Sequence, residues 1–215
     1  MAYEIFEYNV DEYNFREVIV KFVKCSELES LHEIKSYDLF DLSNDQTSVF
    51  HRNFYDSCEV DDSFDTLYKQ FVSNVVTKYL GDKSVIYQKR PTFRVCLEGN
   101  IAVAEFHKDS NYNHPEEEIN FFIPVTDCSN NNTIWIEKEI DSEDYEPVTL
   151  KYGQVLVFKG GLYKHGNKVN DTGQTRVSFD FRVIKESEYE ESKFLNYSSI
   201  NSNKRFIVGE YYDKV

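Results

Sequence analysis

A chain of 215 residues with 40% apolar and 16% aromatic side chains has material for a sizeable core, which excludes a disordered polymer. Its formal net charge of −14 repels phosphate backbones and anionic lipid, so neither nucleic acid nor membrane is expected as a partner. Cys25, Cys58, Cys96 and Cys128 form no C-x-x-C pair, and neither a secretory leader nor a membrane-length apolar run is evident; a cytoplasmic protein with reduced thiols is expected.

One domain over residues 1–215 is the expectation, beginning with a mixed helical support over residues 1–84. Tyr3 to Val10 reads as a strand. Phe15, Val18, Ile19, Phe22 and Val23 recur at helical spacing; the Val-Ile-Val run would also suit a strand, and helix is preferred. Leu28, Leu31 and Ile34 extend an apolar face, whereas Asp38 to Tyr55 has no clear period and reads as loop. Val60 to Gly81 gives the clearest helix. Asp62 or Ser63 suits its N-cap, and Phe64, Leu67, Tyr68, Phe71, Val75, Tyr79 and Leu80 form one stripe that needs a sheet to lie on. Gly81 fits a left-handed stop.

From Val85 the texture changes to short strands punctuated by turn residues. Strands are predicted at Val85 to Gln88, Thr92 to Glu98, Ala102 to His107, Glu118 to Val125, Thr133 to Glu137, Val148 to Lys151, Gln154 to Lys159 and Thr175 to Val183. Eight strands at this spacing predict a mainly β fold with flanking α-helices, a closed or double-sheet core over residues 85–185. Residues 186–215 form a C-terminal extension, with a solvated helical turn at Glu186 to Ser192 and an apolar patch, Phe206 to Tyr212, that packs back.

Chemistry concentrates between Arg94 and Arg182. Five histidines and 38 acidic residues would produce about one H-x-[DE] match by accident; the chain has two. His107-Lys-Asp109 closes an apolar run, where side chains at i and i+2 of a strand look the same way. His114-Pro-Glu116 lies in a polar loop, and His114 is read as a surface residue. His165 is open to two readings, a core histidine satisfied by a backbone carbonyl or a third ligand. In the second, two imidazoles and one carboxylate form a facial set that suits Fe(II). The last strand alternates strictly, with Val177, Phe179 and Phe181 on one face and Arg176, Ser178, Asp180 and Arg182 on the other. That is either a half-solvated strand or one that aims Arg176 and Ser178 into the barrel, where they would hold a dicarboxylic acid. Asp180 with Arg182 reads as a structural charge pair. Asn120, on the same strand face as Glu118 and Phe122, could donate to a bound co-substrate or substrate.

In order, RVCLEGN, HKD, EEEINFFIPVTD, NNTIWIE, YGQVLVFKGGLYKHGN and NDTGQTRVSFDFRVI resemble the StrG-like family of Fe(II)/2-oxoglutarate dioxygenases, relatives of the phytanoyl-CoA dioxygenase group. The resemblance covers residues 90–185, and the ending Val208-Gly209-Glu210-Tyr211-Tyr212 is similar too. It implies a double-stranded β-helix, a cupin-like jelly roll. It also implies Fe(II) on His107, Asp109 and His165, 2-oxoglutarate on Arg176, O2 as co-substrate, and Arg94 and Asn120 as further pocket residues. The activity implied is hydroxylation of a small molecule, with a sugar or sugar-derived metabolite suggested by the pathways of the family. Two rivals share the fold: a cupin-type metal isomerase that needs no 2-oxoglutarate, and a non-catalytic sugar-binding jelly roll. Oligomeric state is left open.

Overall fold

The computed structural model describes residues 2–34, 48–102, 105–195, 197–199 and 204–215. Its strands are β1 (Tyr3–Glu7), β2 (Val85–Gln88), β3 (Thr92–Cys96), β4 (Ile119–Pro124), β5 (Trp135–Glu137), β6 (Tyr145–Pro147), β7 (Gln154–Phe158), β8 (His165–Gly166), β9 (Arg176–Lys185) and β10 (Tyr212–Lys214). The larger sheet runs β1-β7-β4-β9-β2-β10, with β3 also paired to β9; the smaller runs β6-β5-β8. All the pairings among these strands are antiparallel, as a jelly roll requires.

Two cores follow from the period-2 alternation of the central strands. Val177, Phe179, Phe181 and Val183 of β9, with Phe121 and Ile123 of β4, face helices α1 (Phe15–Val23), α2 (Val49–Cys58) and α3 (Ser63–Phe71). Ring contacts join the layers, Phe15 to Phe179 at 4.9 Å and Tyr68 to Phe181 at 5.0 Å. The opposite faces of β4 and β7 offer Phe122, Leu156 and Phe158 to Ile134, Ile136, Val148 and Leu150 on the smaller sheet and its flanks. The side chains between the two sheets therefore include Arg176, Ser178, Asp180 and Arg182 of β9, the face opposite its core residues.

The long helix is more broken than its apolar stripe suggests. Val60 is exposed, α3 begins at Ser63 after Asp62, a π turn occupies Val72–Val76, and α4 (Thr77–Leu80) ends at Gly81 with φ 71°. The expected loop from Asp38 to Tyr55 lies outside the described residues as far as 47, but its end is helix. Ser48 and His51 cap α2 through Ser48 Oγ and His51 Nδ1 at 2.8 Å, and Phe50 and Phe54, one turn apart, are buried. Strand Val148 to Lys151 is also corrected: β6 lies at Tyr145–Pro147, and Leu150 makes only an isolated bridge to Cys128. The apolar tail packs back as expected, with Phe206, Tyr211 and Tyr212 on Ile86, Ile184 and Phe194, which belongs to the short helix α5 (Glu191–Phe194). All four cysteines are free thiols. No helix among the described residues is long and apolar enough to cross a membrane.

Candidate metal centre

Among its described residues, the run before His107 shows no strand. Ala102 is left-handed at φ 56°, positions 103 and 104 lie outside the described residues, and Glu105 and Phe106 join no sheet. His107 is fixed instead by a two-way bridge to β8, its N–H donating to the His165 carbonyl at 3.0 Å and its carbonyl accepting from His165 N at 2.9 Å. Asp109 is not on a strand either, but opens a 3-10 turn, Asp109–Tyr112, which Asn113 ends in the left-handed region at φ 64°. The Asn111 side chain accepts from Lys108 N at 3.0 Å, a local bond that favours a turn over an extended chain.

His107, Asp109 and His165 nevertheless converge. Asp109 Oδ1 lies 3.7 Å from His107 Nε2 and 3.6 Å from His165 Nε2, and the three donor atoms fall within 4.8 Å of one another. Each imidazole is turned by its other nitrogen, with Nδ1 of His107 2.9 Å from the Glu105 carbonyl and Nδ1 of His165 3.1 Å from the Tyr163 carbonyl. A carbonyl only accepts, so both Nδ1 atoms carry the proton and both Nε2 lone pairs point toward Asp109 Oδ1. Burial pushes His165 down to about 4, against the pull of Asp109, so its ring is neutral near pH 7.

Asp109 is 2% exposed. Burial works to raise its carboxyl, but the Arg182 guanidinium beside it prevails and holds it well below the usual carboxylate range. Arg182 Nε donates to Oδ2 at 3.0 Å and Asn120 Nδ2 donates to the same oxygen at 2.6 Å, which leaves Oδ1 facing the imidazoles. Asn120 in turn accepts from Gly160 N at 3.1 Å, and Gly160 O accepts from Asp109 N at 2.8 Å. Asn120, expected to donate to the co-substrate or the substrate, lines the cavity and also bonds Asp109 and Gly160. Arg182, read with Asp180 as a structural charge pair, lies 3.8 Å from it and makes a closer bond to Asp109; Asp180 is also gripped by Arg94. His114 is no surface residue. Its side chain is 9% exposed, bonds Glu118 at 2.8 Å and packs on Phe206 at 4.8 Å, because the C-terminal extension covers the loop.

Arg176 lines the cavity between the sheets. Arg176 is 1% exposed, donates to Asn167 Oδ1 at 2.6 Å and faces the Phe122 ring at 5.7 Å. Ser178 Oγ, two positions on along the same strand face, is buried with no hydrogen-bond partner among the described residues. The cavity connecting Arg176 to the histidines is walled by Phe122, Ile134 and Phe158 and also takes in Arg94, Asn120 and Arg182. Two imidazoles, one carboxylate and a buried guanidinium beyond them fit a metal with open coordination positions plus an anionic chelator. Asn167 was missed by sequence reasoning although it follows His165-Gly166 directly. Gly166 itself carries a signal only in space, since a Cβ there would lie 3.1 Å from Phe106 Cα, pressing on the segment that bears His107.

No family model matches the chain. Streptomycin biosynthesis protein StrG of Streptomyces griseus is 40% identical over 173 residues, covering 80% of this chain and 78% of StrG. Among solved structures, the non-haem α-ketoglutarate-dependent carbocyclase SnoK from nogalamycin biosynthesis superposes with a TM-score of 0.58 at 10% identity, covering 100% of this chain and 92% of SnoK. CytC3 with Fe(II) and α-ketoglutarate gives 0.52 at 12% identity, over 95% and 83% of the two chains. The chain belongs to the StrG family, on the jelly-roll fold of the non-haem Fe(II)/2-oxoglutarate-dependent oxygenases.

Proposed function

We propose that the protein is an Fe(II)- and 2-oxoglutarate-dependent oxygenase that hydroxylates a small molecule. His107, Asp109 and His165 would be the metal ligands, and Arg176 with Ser178 the anchor of the co-substrate. The observation that carries the reading is the facing of two Nε2 lone pairs and one carboxylate oxygen within 4.8 Å, each ligand oriented through its other polar atom. Bound there, Fe(II) with 2-oxoglutarate and O2 would supply oxidation of a substrate C–H bond, with succinate and CO2 released.

The remaining chemistry belongs to the chain. Arg182 keeps Asp109 anionic and Asn120 fixes its plane, so the ligand oxygen is presented without reorganisation. Arg176 offers a guanidinium to a carboxylate in a dry recess, where a charge-assisted pair is strong, and Ser178 Oγ adds a second donor. Phe122, Ile134 and Phe158 give the recess apolar walls. StrG takes its name from streptomycin biosynthesis, and that kinship supports a sugar or sugar-derived metabolite as the substrate.

The test is an anaerobic titration of the metal-free protein with Fe(II) and then 2-oxoglutarate, following the visible metal-to-ligand charge-transfer band. The band is expected in the parent and not in His165→Ala. Iron binding without a band would overturn the co-substrate assignment, and no iron binding would overturn the metal centre.

A further inference from the structure

Arg94 and Arg182 line two cavities at once, the one holding His107 and His165 and a second that runs outward to Lys89, Arg90 and Lys204. The second cavity is bounded by five Lys or Arg residues and by no Asp or Glu. The chain as a whole has 24 basic and 38 acidic residues, so a lining of this size drawn at random would hold about two acids and one base. A basic cleft on so acidic a protein concentrates anions where the rest of the surface repels them.

The inner cations are already committed, Arg94 to Asp180 and Arg182 to Asp109 and Glu118. The outer group, Lys89, Arg90 and Lys204, also borders a neighbouring cleft that carries Asp65, Glu210 and Asp213. Arg90 is braced by Glu59 at 2.7 Å and Asp65 at 3.6 Å, neither of which lines the basic cleft, and Lys89 makes no ion pair among the described residues. Lys89 and Arg90 come from the turn between β2 and β3, and Lys204 from the C-terminal extension, so the group approaches from two sides. Tyr55 and Tyr211 also line the cleft. The Arg176 recess is not part of this lining, so co-substrate and cleft occupant do not compete.

We propose that this cleft seats the primary substrate and that Lys89, Arg90 and Lys204 take a phosphate monoester at its outer end, placing the neutral part of the molecule over the metal centre. The inference rests on the oxygenase reading for what happens at the inner end. Two ammonium groups and a guanidinium fork offer more donors than a carboxylate can use and suit a dianion with three terminal oxygens.

Inorganic phosphate is the probe, titrated by calorimetry into the full-length, metal-free protein with excess 2-oxoglutarate. Saturable binding is expected, weakened about tenfold in Lys89→Glu and in Lys204→Glu, the order set by exchanging an exposed attraction for a repulsion. It should fall with rising salt and be unaltered in Arg176→Ala. Absence of saturable binding, or binding lost in Arg176→Ala and kept in both lysine variants, overturns the proposal. The charge-transfer band separates the two readings: a band without phosphate binding sinks the subsite alone, and phosphate binding lost in the lysine variants without a band sustains the subsite while the oxygenase reading falls.

Discussion

Gly160 is where one added methyl group tests the wiring of the metal centre. A Cβ at this position would stand 2.7 Å from Asn120 Nδ2, 2.8 Å from Asn120 Oδ1 and 2.8 Å from Asp109 Oδ2. None of these atoms is a free end. Asn120 is held by Gly160 N and holds Asp109, and the Asp109 backbone is tied to Gly160 O. Gly160→Ala must therefore break the amide's bond to the carboxylate, about 1.5–3 kcal/mol for a charged acceptor, and its bond to Gly160 N, about 0.5–1.5 kcal/mol. A loss near 3 kcal/mol would lower Tm by roughly 6–12 °C for a chain of this size. Turning Asp109 away from the imidazoles should also cost ~10–100-fold in Fe(II) affinity. Thermal unfolding and anaerobic Fe(II) titration read both quantities. Asn120→Ala removes two of the three close contacts, so adding Gly160→Ala to it should cost less than Gly160→Ala costs in the parent. A Gly160→Ala protein with parental Tm and iron affinity, or costs that simply add in the double variant, would refute the packing argument.

Arg176→Ala should weaken 2-oxoglutarate by about 2–5 kcal/mol while Fe(II) affinity is kept; an unchanged co-substrate Kd from the charge-transfer titration would give the anchoring role to another cation. Arg182→Met strands the buried Asp109 and Glu118 and should destabilise the metal-free protein by about 3–5 kcal/mol, less when Fe(II) supplies the missing charge; equal urea-denaturation losses with and without metal would argue against that role. Arg16, through paired hydrogen bonds, holds Glu29 below its usual range, so this pair's stabilisation is full above the unfolded carboxyl's value and fades as pH falls through the lower folded value. Glu29→Gln should flatten that acid limb of stability against pH, and an unchanged limb would show the pair to be inert.

What the sequence made legible was governed by period. Strict alternation in Thr175 to Val183 announced two faces, and β9 indeed turns Phe179 and Phe181 to the helices and Arg176 and Arg182 to the cavity. The stripe from Phe64 to Phe71 announced a helix on a sheet. Aperiodic segments were opaque. Nothing local marks α2, whose helix depends on the Ser48–His51 cap and on burial of Phe54 against Phe93, rings 4.0 Å apart. His107 and Asp109 were paired on a strand rationale that fails, since Asp109 sits in a turn. The two still meet because the His107–His165 bridge and the Asp109 N–Gly160 O bond pin both to the chain around β8. Those long-range bonds leave no trace in spacing. Nor does the role of Arg182, for a strand position says which way a guanidinium points and not which of three carboxylates it meets.

Charge accounting links the two halves of the site. Asp109, Glu118 and Asp180 bring three acidic side chains together, and Arg94 and Arg182 are interleaved with them. Arg176, along the same strand face, supplies the third guanidinium. The protein's own charges are then balanced across the cavity, so a dication alone or a dicarboxylate alone would leave two unmatched charges in a recess of low dielectric. Bound together as proposed, Fe(II) at Asp109 and the far carboxylate of 2-oxoglutarate at Arg176, their charges would cancel. A pocket built in this way favours the pair over either member. Joint occupation is therefore favoured by electrostatics the chain has already arranged, before any contact with the molecule to be oxidised.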